Sequence, residues 1–586
     1  MPRMIIGALS KRFILLKGNR GRKNLAFYFY FAIFLNIQTQ AQDLNTIRSA
    51  KPFQMSGAVS VSGGPYFHFG QGLPRNSPFW WNISCSSTIT IYDWSMPFSI
   101  TLGPQQKTFS QPFNRYGISP HYKKLTLHAG YRSLYFNPYV LSGLQFLGGG
   151  IEFKPGLFRF AAFYGRFTRP VARDTNASII PIPAYKRTGM GLKIGVGNNL
   201  NFIDFSFLKV TDDINSIPEI PITIGIGPRE NFVGGLSTRI SIGRHVTWTV
   251  DLAASLMNLD IRNEELEIKG VNDSPFLRNF FIPRIGSQFL LAGNSSLNFK
   301  FRKFGIKFNL KQVDPGYQSL GALFQQSDMR SYTIDPSVKL FKNKVRIGGS
   351  IGRQQDNIYG RKIFTSIRNI GSASLSINPS SKFGMDFQFS NYGIVQEAGL
   401  MSINDTFRIA QVNRNLNNSY RYSLQNKKRV LAFNLNVGYQ ELKDLNEFGL
   451  TSSSENQVYL VNVGNNYFRI RDNLNISGGI NFNRNTSLFS KRFLAGPTIG
   501  IGKSFFKNKL KLNSSFTYNL QFIENNATGG IINFNGFINY QLKGGHQFNL
   551  NINFLSSSNP NGTSQNFSEL RMMGGYVFSL NTRPKK

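Results

Sequence analysis

The chain reads as an all-β protein: a large transmembrane antiparallel β-barrel of about 22–26 strands, with short periplasmic turns and longer extracellular loops. Three observations predict this. Apolar and polar residues alternate over stretches of nine residues or more, tight polar turns recur between those stretches, and no linker, low-complexity tract or composition break appears after about residue 120 of the 586. The alternation is clearest near the C-terminus. Leu510, Leu512, Phe516, Tyr518, Leu520 and Phe522 interleave with Lys511, Asn513, Ser515, Thr517, Asn519 and Gln521. Phe548, Leu550, Ile552 and Phe554 do the same against Asn549, Asn551 and Asn553. Successive strand side chains point to opposite faces, so each stretch has one apolar and one wet side. Soluble sandwiches use strands of about five or six residues, whereas strands of nine or more suit a membrane-crossing barrel.

The N-terminus carries the one long apolar run, Leu25–Ile37, preceded by Lys11, Arg12, Lys17, Arg20, Arg22 and Lys23 and followed by Thr39-Gln40-Ala41. A basic region, a short apolar core and a small-residue site predict a signal peptide over 1–41, cut near Ala41. Residues 42–120 follow as a stretch of N-terminal strands or a lumenal segment, with candidate strands at Gln54–Val61, Asn82–Tyr92 and Pro97–Leu102. The main barrel is expected over 121–586. Its turns are Lys154-Pro155-Gly156, Gly197-Asn198-Asn199, Gly243-Arg244-His245, Arg302-Lys303, Phe341–Lys344, Asn378–Ser381, Gln425–Lys428, Arg471–Asn473, Phe506–Lys509 and Lys543–Gly545. These ten turns close ten hairpins on one side, and with a lead and a last strand they give 22 strands from Lys124 onward. Adding all three N-terminal candidates breaks the even parity that returns both ends to the periplasm. Longer connections such as Arg169–Ala184, Thr211–Asn231, Asn258–Gly286 and Val313–Arg330 belong outside by the bacterial convention.

Composition excludes other classes. Hydrophobic residues are 41% and charged residues 16%, and no stretch beyond residue 42 approaches twenty consecutive apolar residues, so a helical membrane bundle is excluded. The 54 Phe, 23 Tyr and 56 Gly fit strand propensity, aromatic girdles and bends. Cys85 is alone, which excludes an internal disulfide and cysteine-rich metal sites. Without the seven basic residues of 1–41, the chain keeps 60 Lys and Arg against 29 Asp and Glu. In an exported barrel that excess points to outer-membrane lipid, lipopolysaccharide phosphates or anionic solutes, with envelope protein partners as a further option, before nucleic acid.

The wet face is basic as well as polar. Arg159, Lys300, Arg302, Lys307, Lys311, Arg346 and Lys511 fall in phase with Asn and Ser, opposite Phe299, Phe301, Ile306, Phe308, Ile347, Leu510 and Leu512. If that face lines an open lumen, the pore favours anions. The other outcome is neutralisation by a packed interior, acidic loops or lipid phosphate at the rims.

Two groups of motifs carry a resemblance. One is Ser77–Asn82 with Gln111–Pro120 (QPFNRYGISP) and Phe146–Gly150; the other is Val313–Gly321 (VDPGYQSLG) with Gln355-Asp356-Asn357. Together they resemble exported outer-membrane β-barrel proteins of the Bacteroidota type, over most of the mature chain. The resemblance implies the envelope and supplies no active-site residues. The size is also similar to the barrels of TonB-dependent receptors, but the stretch before Lys124 is too short and too strand-like for their plug domain.

Dedicated chemistry is not expected. His68, His121, His128, His245 and His546 form no zinc pattern, and a straight strand would put His121 and His128 on opposite faces. The acidic runs Asp212, Asp213, Glu219, Glu230 and Asp260, Glu264, Glu265, Glu267, Asp273 lack the spacing of a calcium loop. No cofactor and no enzyme activity are therefore expected, although a Ser/His pair assembled from separate strands is invisible to spacing. The leading reading is a passive or gated channel, since about 22 strands enclose a lumen wide enough for solutes. The alternatives are a non-conducting structural or assembly component of a secretion or surface complex, and a plugless relative of TonB-dependent receptor barrels.

Overall fold

A computed structural model describes residues 53–581 apart from 105–113, 175–179, 221–224, 268–274, 323–325, 363, 399–409, 445–454 and 559–565. The signal-peptide reading of 1–41 lies outside the described residues, as do Gln111, Pro112, Phe113 and Asp273. The chain divides into two units. Gln54–Thr90 with Trp94–Lys586 holds the barrel; of the other, Met1–Phe53 with Ile91–Asp93, the described part is Phe53 and the end of one hairpin.

Strand-forming sequence alternates with turns throughout. The first segments are β1 (Phe53–Gly70), β2 (Phe79–Ile91), β3 (Trp94–Leu102), β4 (Arg115–Ile118), β5 (His121–Tyr122), β6 (Leu125–Arg132), β7 (Phe146–Phe153), β8 (Phe158–Thr168) and β9 (Lys186–Gly197). They continue as β10 (Phe202–Asp213), β11 (Glu230–Ile242), β12 (Val246–Asn258), β13 (Gln288–Lys300), β14 (Phe304–Val313), β15 (Met329–Leu340), β16 (Val345–Gln355), β17 (Phe364–Ile377) and β18 (Phe383–Ala398). The last are β19 (Ala410–Gln425), β20 (Arg429–Asp444), β21 (Asn456–Arg469), β22 (Leu474–Ser487), β23 (Ser490–Phe505), β24 (Leu510–Ile523), β25 (Asn526–Gln541), β26 (His546–Ser558) and β27 (Phe567–Asn581).

Every neighbouring pair is antiparallel, and β1 pairs with β27 from Ser56↔Asn581 to Gly70↔Phe567, which closes the sheet. The result is a closed 26-strand barrel, because β4 and β5 are two pieces of one strand and both pair with β3 and β6. Pro120, which has no N–H to give the ladder, sits in the break.

The ten expected turns all join consecutive hairpins, and Leu125 to Asn581 contributes the 22 strands read from them. The separation of residues 42–120 from a 121–586 barrel does not hold for the described residues: β1 to β4 belong to the same sheet as the later strands. Parity is restored by the broken strand over Arg115–Tyr122, whose two short pieces carry too little alternation to be read from sequence.

Facing follows the pleat. On β10, Ile203, Phe205 and Phe207 are exposed outward, while Asp204, Ser206, Leu208 and Val210 are buried inward. Lipid takes the place of water on the outer side. There, a cavity of ≈ 580 Å³ lies between Phe205, Phe207, Leu252, Leu291 and Leu310.

The faces of β26 give the first test. Leu550 and Ile552 share the outward phase with exposed Phe548, and Asn551 points inward opposite Phe537 and Met573. A charge on the lipid face at the midplane costs about 2–4 kcal/mol. Ile552→Arg is therefore expected to reduce the folded, heat-modifiable band on unheated gels, while Asn551→Arg assembles normally; the opposite pattern would mean the faces are reversed.

Candidate functional site: a half-filled lumen

Phe146, from one group of motifs singled out in the sequence, and Val313, Tyr317 and Leu320, from the other, meet in one buried cluster inside the barrel. The segment 133–145, between β6 and β7, folds inward against the wall formed by β8 to β14. Asn137, fully buried, donates from Nδ2 to Ser237 Oγ at 2.9 Å and Leu236 O at 3.2 Å, and its Oδ1 accepts from Tyr139 N at 2.8 Å. Leu134, Phe136, Tyr139, Val140 and Leu141 then pack with Phe146, Phe163, Phe167, Leu208, Val210, Val233 and Met257. Wall glycines make the room: a Cβ on Gly191 would overlap the Phe163 ring, and one on Gly235 would meet Val140.

Over this segment lies 314–322. Its turn is fixed by Asp314, which accepts from Leu291 N at 2.7 Å and from the Tyr359 hydroxyl at 2.8 Å. Tyr317 donates to Tyr139 O at 2.9 Å, Ser319 Oγ to Val140 O at 2.6 Å, and Leu320 N to Asn231 Oδ1 at 3.0 Å. Burial pushes the Tyr317 phenol upward, so it stays a donor at neutral pH. Each large apolar side chain buried here contributes about 1.5–3 kcal/mol, so this wedge is a packed part of the fold rather than a loose loop.

Outside it, Asp328 is held down in pKa although burial pushes the other way, because Lys362 Nζ and the backbone N–H groups of Ile358 and Asn357 outweigh that cost. Lys362, correspondingly raised, also lies 3.7 Å from Asp356. These contacts tie the connection after β16 to the one after β14.

The opposite part of the lumen is lined differently. Along β20 to β26 the inward positions are mainly Asn, Ser, Thr and Gly. Asn434, Asn436, Asn513, Asn533, Asn535 and Asn553 point inward and are exposed, so among the described residues this half presents a polar, water-accessible wall.

The seven basic residues singled out in the sequence fall as follows. Arg159 faces inward and makes a two-point pair with Asp204 at 2.7 and 2.9 Å, with its guanidinium 4.4 Å over the Phe202 ring. Lys307 and Lys311 share the inward phase of buried Val313 on β14. Lys307 stands in register with Asp335, but the Asp335 oxygens take Asn309 Nδ2 at 2.7 Å and Ser350 Oγ at 2.6 Å. Arg346 stands in register with a second cation, Lys339. Lys511 lies between Ser504 and Asn539, and Lys300 ends β13 opposite Gly305. Arg302 is in the exposed turn between β13 and β14 and is not on the wall. Arg159 is the one of the seven in an ion pair among the described residues.

Two features were not legible in the sequence. Lys193, buried on the inner face of β9, donates to Tyr135 O at 2.8 Å and so fixes the wedge. His121 and His128 share the inner face, because the Lys123-Lys124 turn lies between them and sets His121 against Thr126. His128 Nδ1 is 3.0 Å from Ser119 Oγ, and its Nε2 is 3.2 Å from Glu152 Oε1.

No family model matches the chain, and no curated protein matches it. Among solved structures, it is similar to the FrpB iron transporter of Neisseria meningitidis (F5-1 variant) at 10% identity and a TM-score of 0.38, covering 89% of this chain and 82% of that one. It is similar to OccAB4 of Acinetobacter baumannii at 9% identity and a TM-score of 0.28, covering 90% and 99%. The outer membrane protein opdK of Pseudomonas aeruginosa matches at 9% identity and a TM-score of 0.29, covering 60% and 94%.

Asn137 anchors the wedge, and leaving its wall partners unpaired costs about 1–3 kcal/mol, on the order of 10- to 100-fold in the population of a released segment. In the folded barrel, Asn137→Ala is expected to make 133–145 sensitive to added protease while the wild type resists. Equal resistance in both would show that the anchor lies elsewhere.

Proposed function

We propose that the protein is an integral outer-membrane channel of the Bacteroidota type, with a lumen that the wedge narrows and a basic stripe that favours anions. The carrying observation is the contrast between the two halves of the lumen. The inner faces of β8 to β12, with Ala292 of β13 and Val313 of β14, are buried against the wedge, whereas inward asparagines of β20 to β26 remain exposed to water. A barrel that only needed filling has no use for an unfilled polar half. Lys307, Lys311, Lys339 and Arg346 form the boundary of that half on β14 to β16, with no ion pair to any of them among the described residues. Adjacent like charges such as Lys339 and Arg346 repel, and a passing anion relieves that repulsion.

The lipid-facing aromatics, the closed sheet and the resemblance of the motifs around Asp314 and Pro120 support the outer-membrane location. The start of β1, the end of β27 and the short turns then face the periplasm, and the longer connections face outward.

Purified protein in planar bilayers is expected to conduct with anion preference, and the triple change Lys307→Glu, Lys311→Glu and Arg346→Glu to abolish or reverse it. The three are altered together because salt screens separate charges beyond about 10 Å at 0.1 M. A silent bilayer, or a cation preference in the wild type, contradicts the proposal.

A further inference from the structure

The inner wall near the short-turn rim holds an arrangement that transport does not use. Ser119 lies in the break between β4 and β5, held there by its N–H to Pro97 O at 2.9 Å and by Leu127 N to Pro120 O at 2.9 Å. The Pro120 break takes Ser119 out of the regular ladder. Its Oγ is 3.0 Å from His128 Nδ1, and the other ring nitrogen is 3.2 Å from Glu152 Oε1. Lys154 Nζ holds the second carboxylate oxygen at 3.0 Å. With Nε2–H donating to the carboxylate, the tautomer is fixed and the Nδ1 lone pair is left facing the Ser119 hydroxyl. A nucleophile, a base and a group that orients the base are thus in sequence, with the two imidazole nitrogens exchanged relative to the usual Ser-His-Asp order.

Two more observations distinguish this from an ordinary polar network in a lumen wall. First, a cleft of ≈ 410 Å³ opens beside Ser119, lined by the hydroxyls of Ser56, Ser86, Thr88 and Ser99 and by Arg132. Second, Arg132 Nη1 donates to Ser99 Oγ at 3.0 Å, while its buried Nε–H has no acceptor among the described residues. A Cβ on Gly117, two residues before Ser119, would lie 3.0 Å from Arg132 Cζ, so the guanidinium is pressed against the strand piece that carries the nucleophile. Arg132 and Ser119 line the same cleft, and an unsatisfied donor there is what a developing oxyanion requires.

We propose that Ser119, His128 and Glu152, with Arg132, form an acyl-transfer site that hydrolyses small polar carboxylic esters from the lumen side of the barrel. Ser119 Oγ attacks the ester carbonyl carbon and its proton passes to His128 Nδ1. The carbonyl oxygen takes the negative charge against Arg132 Nε–H. As the C–O bond breaks, His128 returns the proton to the leaving alkoxide, which departs as alcohol and leaves acyl-Ser119. Water then attacks the acyl carbon, gives a proton to His128 Nδ1, and the acid leaves as Ser119 recovers its hydrogen. One ester and one water yield one acid and one alcohol. The hydroxyl-lined cleft selects polar acyl groups over long alkyl chains, which would leave its hydroxyls unpaired.

The test is active-site labelling of the full-length folded protein in detergent with a fluorophosphonate, mapped by peptide mass spectrometry. The expected result is a single adduct on Ser119 in the wild type, which needs no variant to interpret. His128→Gln and Glu152→Gln, each shown to be folded by heat-modifiable gel mobility, are expected to slow labelling by about 10²- to 10⁴-fold, the usual contribution of a positioned base. Hydrolysis of p-nitrophenyl acetate is expected to fall in parallel. A folded wild type that takes no label, an adduct on another residue, or undiminished labelling of folded His128→Gln overturns the proposal.

Discussion

Satisfying every backbone N–H and C=O inside hydrocarbon is the constraint on which the rest of this structure depends. A chain that crosses lipid as strands has no water to complete an open edge, so its sheet has to close. Here closure falls to the β1–β27 pairing from Ser56↔Asn581 to Gly70↔Phe567, and it explains why β1 to β5 belong to the wall. Stopping the barrel at Leu125 would leave both β6 and β27 with bare edges. The strand split by Pro120 is accepted because β3 and β6 still pair with its two halves.

Closure around so many strands creates the second problem, a lumen too wide for side chains alone to fill. The chain meets it on one side only. Glycines on β9 and β11 pull the wall back, and 133–145 and 314–322 occupy the space, joined to each other by Tyr317 and Ser319 and to the wall by Asn137, Asn231 and Lys193. The other side keeps its polar asparagine faces. Exposed Lys and Arg recur in the short turns, as at Lys123, Lys124, Arg302, Lys303, Lys342, Lys344, Lys427, Lys428, Lys507 and Lys509.

Much of the barrel was legible because its signal is local. Period-two alternation and turns such as Phe506–Lys509 need a few residues each, and the face of Lys307, Lys311 or Lys511 follows from its neighbours alone. What was hidden depends on pairing at a distance. The partner that neutralises Arg159, Asp204, is 45 residues away and visible only in the register. Val140 and Leu141 look like strand residues and instead cap an inward fold. His121 and His128 share a face because the turn at Lys123-Lys124 reverses the chain between them, and the meeting of Ser119, His128 and Glu152 depends on that turn and on pairing across strands.

The account stands on a closed sheet with lipid outside and water within its asparagine-lined half, and cysteine accessibility measures this most directly. With Cys85 replaced by serine, single cysteines at Asn481 and Asn535 on the inner face, and at Ile480 and Phe534 on the outer face, would be exposed to a membrane-impermeant maleimide in reconstituted vesicles. The account predicts rapid labelling at positions 481 and 535 and protection at 480 and 534. Protection of the asparagine positions, or equal labelling of all four, would contradict it.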